Sequence, residues 1–90
     1  MKKVRVYTTR ICGFCTAAKS LLAQNELEYE ELDVSNDPRT RAWLVQTTGQ
    51  RTVPQIFIGE TSIGGFRELR ALAMKGNLVP MVNGQTNSDT

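Results

Sequence analysis

Histidine is missing from this 90-residue chain, and only two cysteines are present, Cys12 and Cys15. Without histidine, no Ser-His-Asp or Cys-His pair can form within the chain. No histidine-based zinc site is possible either, and two cysteines are too few for a four-cysteine metal cage. Long apolar runs are lacking as well, so nothing is expected to span a membrane. An excess of one charge sign is also lacking: 11 Lys and Arg against 9 Asp and Glu leave a formal net charge of +2. There is no basic stripe beyond the solvated start Met1-Lys2-Lys3, so no nucleic-acid partner is expected. No apolar segment follows those lysines, so no secretory signal is recognised, and the cytoplasm is the expected location.

What is present is an ordinary globular balance, 40% hydrophobic and 22% charged. The length suits one domain with a modest core. That domain is expected over residues 1–82, followed by a polar tail, 83–90, expected to be unstructured. The protein is expected to act as a monomer.

Periodicity gives the elements. Val4, Val6 and Thr8 alternate with Arg5 and Tyr7, which predicts a first strand. Phe14, Ala17, Ala18, Leu21 and Leu22 share one face of a helix, which Asn25 can end in a left-handed conformation. A second strand is expected over Leu27 to Val34. Asp37 can cap a second helix with Pro38 at its first position, running to Gly49. A third strand is expected over Val53 to Ile58, a turn at Gly59-Glu60, and a short fourth strand to Ile63. Gly64-Gly65 opens a third helix that ends at Gly76, and Leu78 to Val82 forms a last apolar segment. The order predicts an α/β fold: a four-stranded mixed sheet flanked by helices. Its first two strands are parallel, its last two form a hairpin, and strand 1 is central.

Cys12-Gly13-Phe14-Cys15 falls where the first strand hands over to the first helix. A helix start offers unpaired N–H groups and partial positive charge, and both stabilise a thiolate. Cys12, ahead of the helix, is the expected nucleophile, and Cys15, one turn on and more shielded, the resolving thiol. A structural disulfide is the plainer reading, but so short a loop constrains the unfolded chain little. Arg10 is either a cation acting on this site or a solvated loop charge. Phe14 fits the core stripe of its helix; at the second position of a reactive turn it is favoured to be exposed beside a substrate.

Together with Thr52-Val53-Pro54 and Ile63-Gly64-Gly65, these residues resemble a glutaredoxin over about residues 3 to 82. The resemblance implies a thioredoxin-like fold. It also implies an enzyme, a disulfide oxidoreductase that uses glutathione as reductant for protein disulfides and glutathione mixed disulfides. Its partners would be glutathione and disulfide-containing or glutathionylated proteins. The resemblance makes the bond before Pro54 cis, turning the backbone of Val53 toward Cys12 to pair with glutathione as one strand pairs with another. Thr52 would line the same groove. Arg41 would meet the glycyl carboxylate, or else be a solvated helix charge. Free N–H groups of Gly65, Phe66 and Arg67 would hold the γ-glutamyl carboxylate.

Two positions depart from the family. Thr9 stands where many glutaredoxins carry a lysine that contacts glutathione, and Arg10 would compensate. Phe66-Arg67 replaces a small residue followed by Asp, an acid that could pair with the glutathione amine. Gly-Phe-Arg also resembles the redoxins that serve ribonucleotide reductase and draw electrons from thioredoxin reductase. A third alternative follows from Cys12-Gly13-Phe14, which resembles the monothiol glutaredoxin motif. Two chains and two glutathione thiolates would then hold a [2Fe–2S] cluster.

Overall fold

The computed structural model describes residues 1–84. Strand β1, Val4–Thr8, is buried at every position except Arg5. Successive side chains on a strand point to opposite faces, so Val4 and Val6 enter one apolar cluster and Tyr7 another. A strand buried on both faces belongs in the interior of a sheet. It pairs in parallel with β2, Glu30–Asp33, and antiparallel with β3, Gln55–Ile58. β4, Thr61–Gly64, completes the order β2-β1-β3-β4. The expected mixed sheet with a central first strand is therefore present.

Helix α1, Gly13–Gln24, turns Ala18 and Leu22 onto the sheet, four residues apart on one face. Helix α3, Phe66–Met74, adds Leu69, and a short helix α4, Leu78–Val82, adds its two end residues. These meet Val4, Val6, Ile56 and Ile58 in the larger core. On the opposite face, α2, Pro38–Thr48, buries only Leu44, against Tyr7, Val34 and Phe57. Trp43 stacks on Phe57 there, ring centroids 5.6 Å apart. The last apolar segment is thus a helix. Asn83 and Gly84, the first residues of the polar tail, bond back to Val79 and Met81; the rest of the tail lies outside the described residues.

Three boundaries differ from the sequence reading. Asn25 is not left-handed; its φ is −91°, and the positive φ of 58° falls on Glu26. The Glu26 N–H bonds to Ala23 O and the Leu27 N–H to Leu22 O, the paired bonds of a Schellman ending, which require the next residue along to turn left-handed. Leu27 is thereby tied to α1, so β2 starts at Glu30 instead of Leu27. β3 starts at Gln55, because Pro54 has no N–H to give a ladder. Asp37 caps α2 as expected: its carboxylate accepts from the Thr40 N–H at 3.1 Å and the Thr40 hydroxyl at 2.7 Å.

Candidate active site

The loop after β1 carries the reactive motif and is fastened to the end of β2. The Arg10 N–H donates to Ser35 Oγ at 2.9 Å, and the Ser35 N–H donates to Asp33 Oδ1 at 2.8 Å. The Ser35 hydroxyl and N–H hold the Asp33 carboxyl below its ordinary range, and the charges of Arg10 and Lys19 add to this. Burial acts the other way but is outweighed. The Arg10 charge thus bears on Asp33, while its backbone secures the loop.

Cys12 is the N-cap of α1, in extended conformation, and its sulfur accepts from the Cys15 N–H at 3.1 Å. Cys12 and Cys15 are joined in a disulfide, their Cα atoms 5.2 Å apart. Cys12 is half-buried, whereas Cys15 is only 2% exposed. In the reduced state the same N–H faces a Cys12 thiolate, a charge-assisted bond at the positive end of a helix. The more accessible sulfur is thus the one at the start of the helix.

Cys12 Sγ lies 3.7 Å from the carbonyl oxygen of Val53. The Val53–Pro54 bond is cis, as the resemblance implied. Behind this turn the buried Gln55 donates from Nε2 to the Thr52 carbonyl at 2.9 Å. A groove of about 160 Å³ opens beside it and gathers Arg41, Thr52 and Val53 with Gln50, Arg51 and Leu44. Arg41 and Arg51 therefore line one groove, and Val53, which also lines it, is the residue whose carbonyl meets Cys12.

The double glycine closes the other end of the site. A β-carbon on Gly65 would stand 3.4 Å from the Pro54 carbonyl, so this segment packs against the turn. Gly64 has φ 112°, and a β-carbon there would come within 3.0 Å of Glu68. The Glu68 carboxylate folds back and accepts the Gly65 N–H at 2.9 Å. This corrects one expectation: the Gly65 N–H is already taken, which leaves the N–H groups of Phe66 and Arg67 at the start of α3. Phe66 stacks on Phe14, ring centroids 5.9 Å apart and planes 27° from parallel. Phe14 is 66% exposed, so it leaves the core stripe of its helix as favoured. Arg67 is exposed.

The family model for glutaredoxin matches residues 4–63. The chain belongs to the glutaredoxin family. It is 44% identical over 84 residues to a glutaredoxin of Neisseria meningitidis serogroup A, covering 92% of this chain and 99% of that one. It is 37% identical over 82 residues to glutaredoxin 3 of Escherichia coli K12, with 91% and 99% covered. Among solved structures it overlays the buckwheat glutaredoxin–glutathione complex with a TM-score of 0.87, at 34% identity over 92% of this chain and 78% of that one. The glutaredoxin of Brucella melitensis gives 0.83 at 39% identity, with 96% and 95% covered. The thioredoxin-like fold is thereby established, and the chain is a thiol–disulfide oxidoreductase of the glutaredoxin type.

As a glutaredoxin it also contains residues that pattern reading passed over. Ser35 and Asp33 anchor the motif loop, Arg51 joins Arg41, Gln55 braces the turn, and Glu68 caps α3. Only Glu68 had a sequence signal, a glutamate three positions past a helix start. Among the described residues no three metal-ligating side chains of the His, Cys, Asp or Glu type gather, and Cys12 is the more accessible of the two cysteines. The two-chain alternative asks only one thiolate of each chain, and Cys12 is the cysteine that would supply it.

Proposed function

We propose that this glutaredoxin uses glutathione as its electron donor and reduces glutathionylated and disulfide-bonded proteins. The observation that carries the reading is the Val53–Pro54 turn, which meets Cys12 Sγ, lines the groove of Arg41 and Arg51, and packs against Gly65 at the start of α3. Glutathione has a carboxylate at each end, and the site has cations at one end and a helix start at the other. Val53, in the turn before Pro54, has backbone groups for the peptide-like middle. Thr52 and Pro54 shape that turn. The solved buckwheat glutaredoxin–glutathione complex, which this chain overlays closely, supports the reading.

The carboxylate missing at Arg67 is supplied by Glu68, whose side chain reaches the double glycine. It is available to the ammonium of the γ-glutamyl group. Arg67 then faces the neighbouring carboxylate.

The chemistry follows from the sulfur geometry. The Cys12 thiolate attacks the glutathionyl sulfur of a mixed disulfide. The Cys12–sulfur bond forms, the old disulfide breaks, and the protein thiolate leaves and takes a proton from water. A second glutathione thiolate attacks the new bond, releasing glutathione disulfide and free Cys12. With a protein disulfide, the Cys15 thiol resolves the intermediate instead and forms the disulfide seen here.

Steady-state turnover of a glutathionylated peptide with glutathione and glutathione reductase tests the assignment. Cys12→Ser should be inactive and Cys15→Ser should retain turnover, because glutathione can replace the resolving thiol. Failure of the wild type with glutathione, together with rapid reduction by thioredoxin reductase, would transfer the chain to the redoxin reading.

A further inference from the structure

Ile11 and Phe14 flank Cys12 in the chain, and both are exposed, at 96% and 66%. Phe66, from another helix, stacks on Phe14 and is itself seated on the larger core. The result is an apolar ledge built from two helix starts beside the reactive sulfur. Its base is rigid, because α1 and α3 pack on the same core cluster. Glutathione recognition, as proposed above, calls on backbone groups and charged side chains, the N–H groups at the start of α3 among them, and gives the Phe14 and Phe66 rings no part. Exposed apolar groups that are held in place cost solvation and are informative when they adjoin a working site.

We propose that the Phe14–Phe66 ledge selects protein substrates that carry a large apolar residue next to the reacting cysteine. The occupant is fixed by the reaction itself. A disulfide under attack must bring its sulfur to Cys12 Sγ, so the residues flanking the substrate cysteine are carried over the neighbours of Cys12. Phe14 follows Cys12 by two positions and Ile11 precedes it by one. An apolar flank covers the ring pair and is taken out of water with it, and aromatic faces contribute beyond area alone. A polar flank leaves the rings wet. The preference acts on the exchange step and does not depend on which reductant later restores Cys12.

The test uses the dithiothreitol-reduced, desalted protein and two short peptides whose single cysteine is disulfide-linked to thionitrobenzoate. The flanking residues are Leu in one peptide and Ser in the other. The Cys12 thiolate attacks the peptide sulfur, the peptide–thionitrobenzoate bond breaks, and coloured thionitrobenzoate leaves. Each second-order rate constant is divided by that of the free small disulfide of thionitrobenzoate. The wild type should favour the Leu peptide by about tenfold, equivalent to ~1.4 kcal/mol. Phe14→Ala, at an exposed position, and Phe66→Leu, which keeps an apolar seat on the core, should each bring the ratio to about twofold or less. A wild-type ratio below about twofold, or a ratio retained in both variants, would overturn the proposal. Because no glutathione is present, loss of the glutathione reading would leave this outcome unaffected.

Discussion

Glu68 is given two jobs, and replacing it with Gln separates them. Its carboxylate accepts the Gly65 N–H at 2.9 Å, and its charge is offered to the ammonium of glutathione. Glu68→Gln keeps an acceptor at the same reach and removes the charge. The stability cost is then only the loss of an anion near a helix start, about 0.5 kcal/mol on an exposed side chain. Glu68→Ala removes the hydrogen bond as well and should cost about 1–1.5 kcal/mol. Both lose the same ion pair with the ligand. An exposed pair contributes at most about 1 kcal/mol, which corresponds to roughly a fivefold change in affinity. KM for glutathione should therefore rise about two- to fivefold in both variants, with kcat moving less than KM, while melting separates them. The assays are urea unfolding and steady-state kinetics with a small mixed disulfide. An unchanged KM in Glu68→Gln would show that the charge never meets the ligand. A lower KM would show that Glu68 competes with the ligand carboxylate for the start of α3.

Two further outcomes follow from backbone and capping geometry. Glu26 is left-handed at φ 58°, a conformation that costs a residue with a β-carbon about 1–2 kcal/mol, part of which glycine returns as unfolded-state entropy. Glu26→Gly should raise stability by about 0.5–1 kcal/mol in urea unfolding, and a decrease would contradict the Schellman account of the end of α1. The Asp37 carboxyl is held below its ordinary value of 3.8 by the Thr40 hydroxyl and then by the Thr40 N–H. Because the folded value is the lower one, its contribution to stability is present above 3.8 and is lost as pH falls through the folded value. Unfolding midpoints taken across acid pH should fall more steeply in the wild type than in Asp37→Asn; parallel curves would remove Asp37 from the acid response.

The elements that could be read from the chain are those whose local signals agree with their burial. The Val4–Val6 alternation, the Ala18–Leu22 pair, the Asp37-Pro38 start and the Cys12–Cys15 spacing each mark a feature that the fold retains. The readings that slipped are those decided by partners far along the chain or by hydrogen-bond closure. Leu27 looks like strand by composition but is claimed by the end of α1. Gly65 looks like a free donor until Glu68 folds back onto it. Arg51 has no periodicity to mark it, and only the fold sets it beside Arg41. Ser35 meets the motif loop across 25 residues of sequence, a distance that no local pattern spans.

The two faces of the sheet are unequally filled, and this divides the site into parts of different durability. Cys12 rides on α1, which is rooted in the larger cluster with α3 and α4. Arg41 rides on α2, which inserts a single leucine into a four-residue cluster and leaves Trp43 partly exposed. Segments with little buried apolar surface open at lower free energy than the whole molecule. As temperature or denaturant rises, α2 is the part set to detach first, taking Arg41 away from the groove with it. The sulfur centre would persist on the remaining core. Warmed short of global melting, such a molecule would still exchange disulfides but would hold glutathione by the Val53 turn and the start of α3 alone.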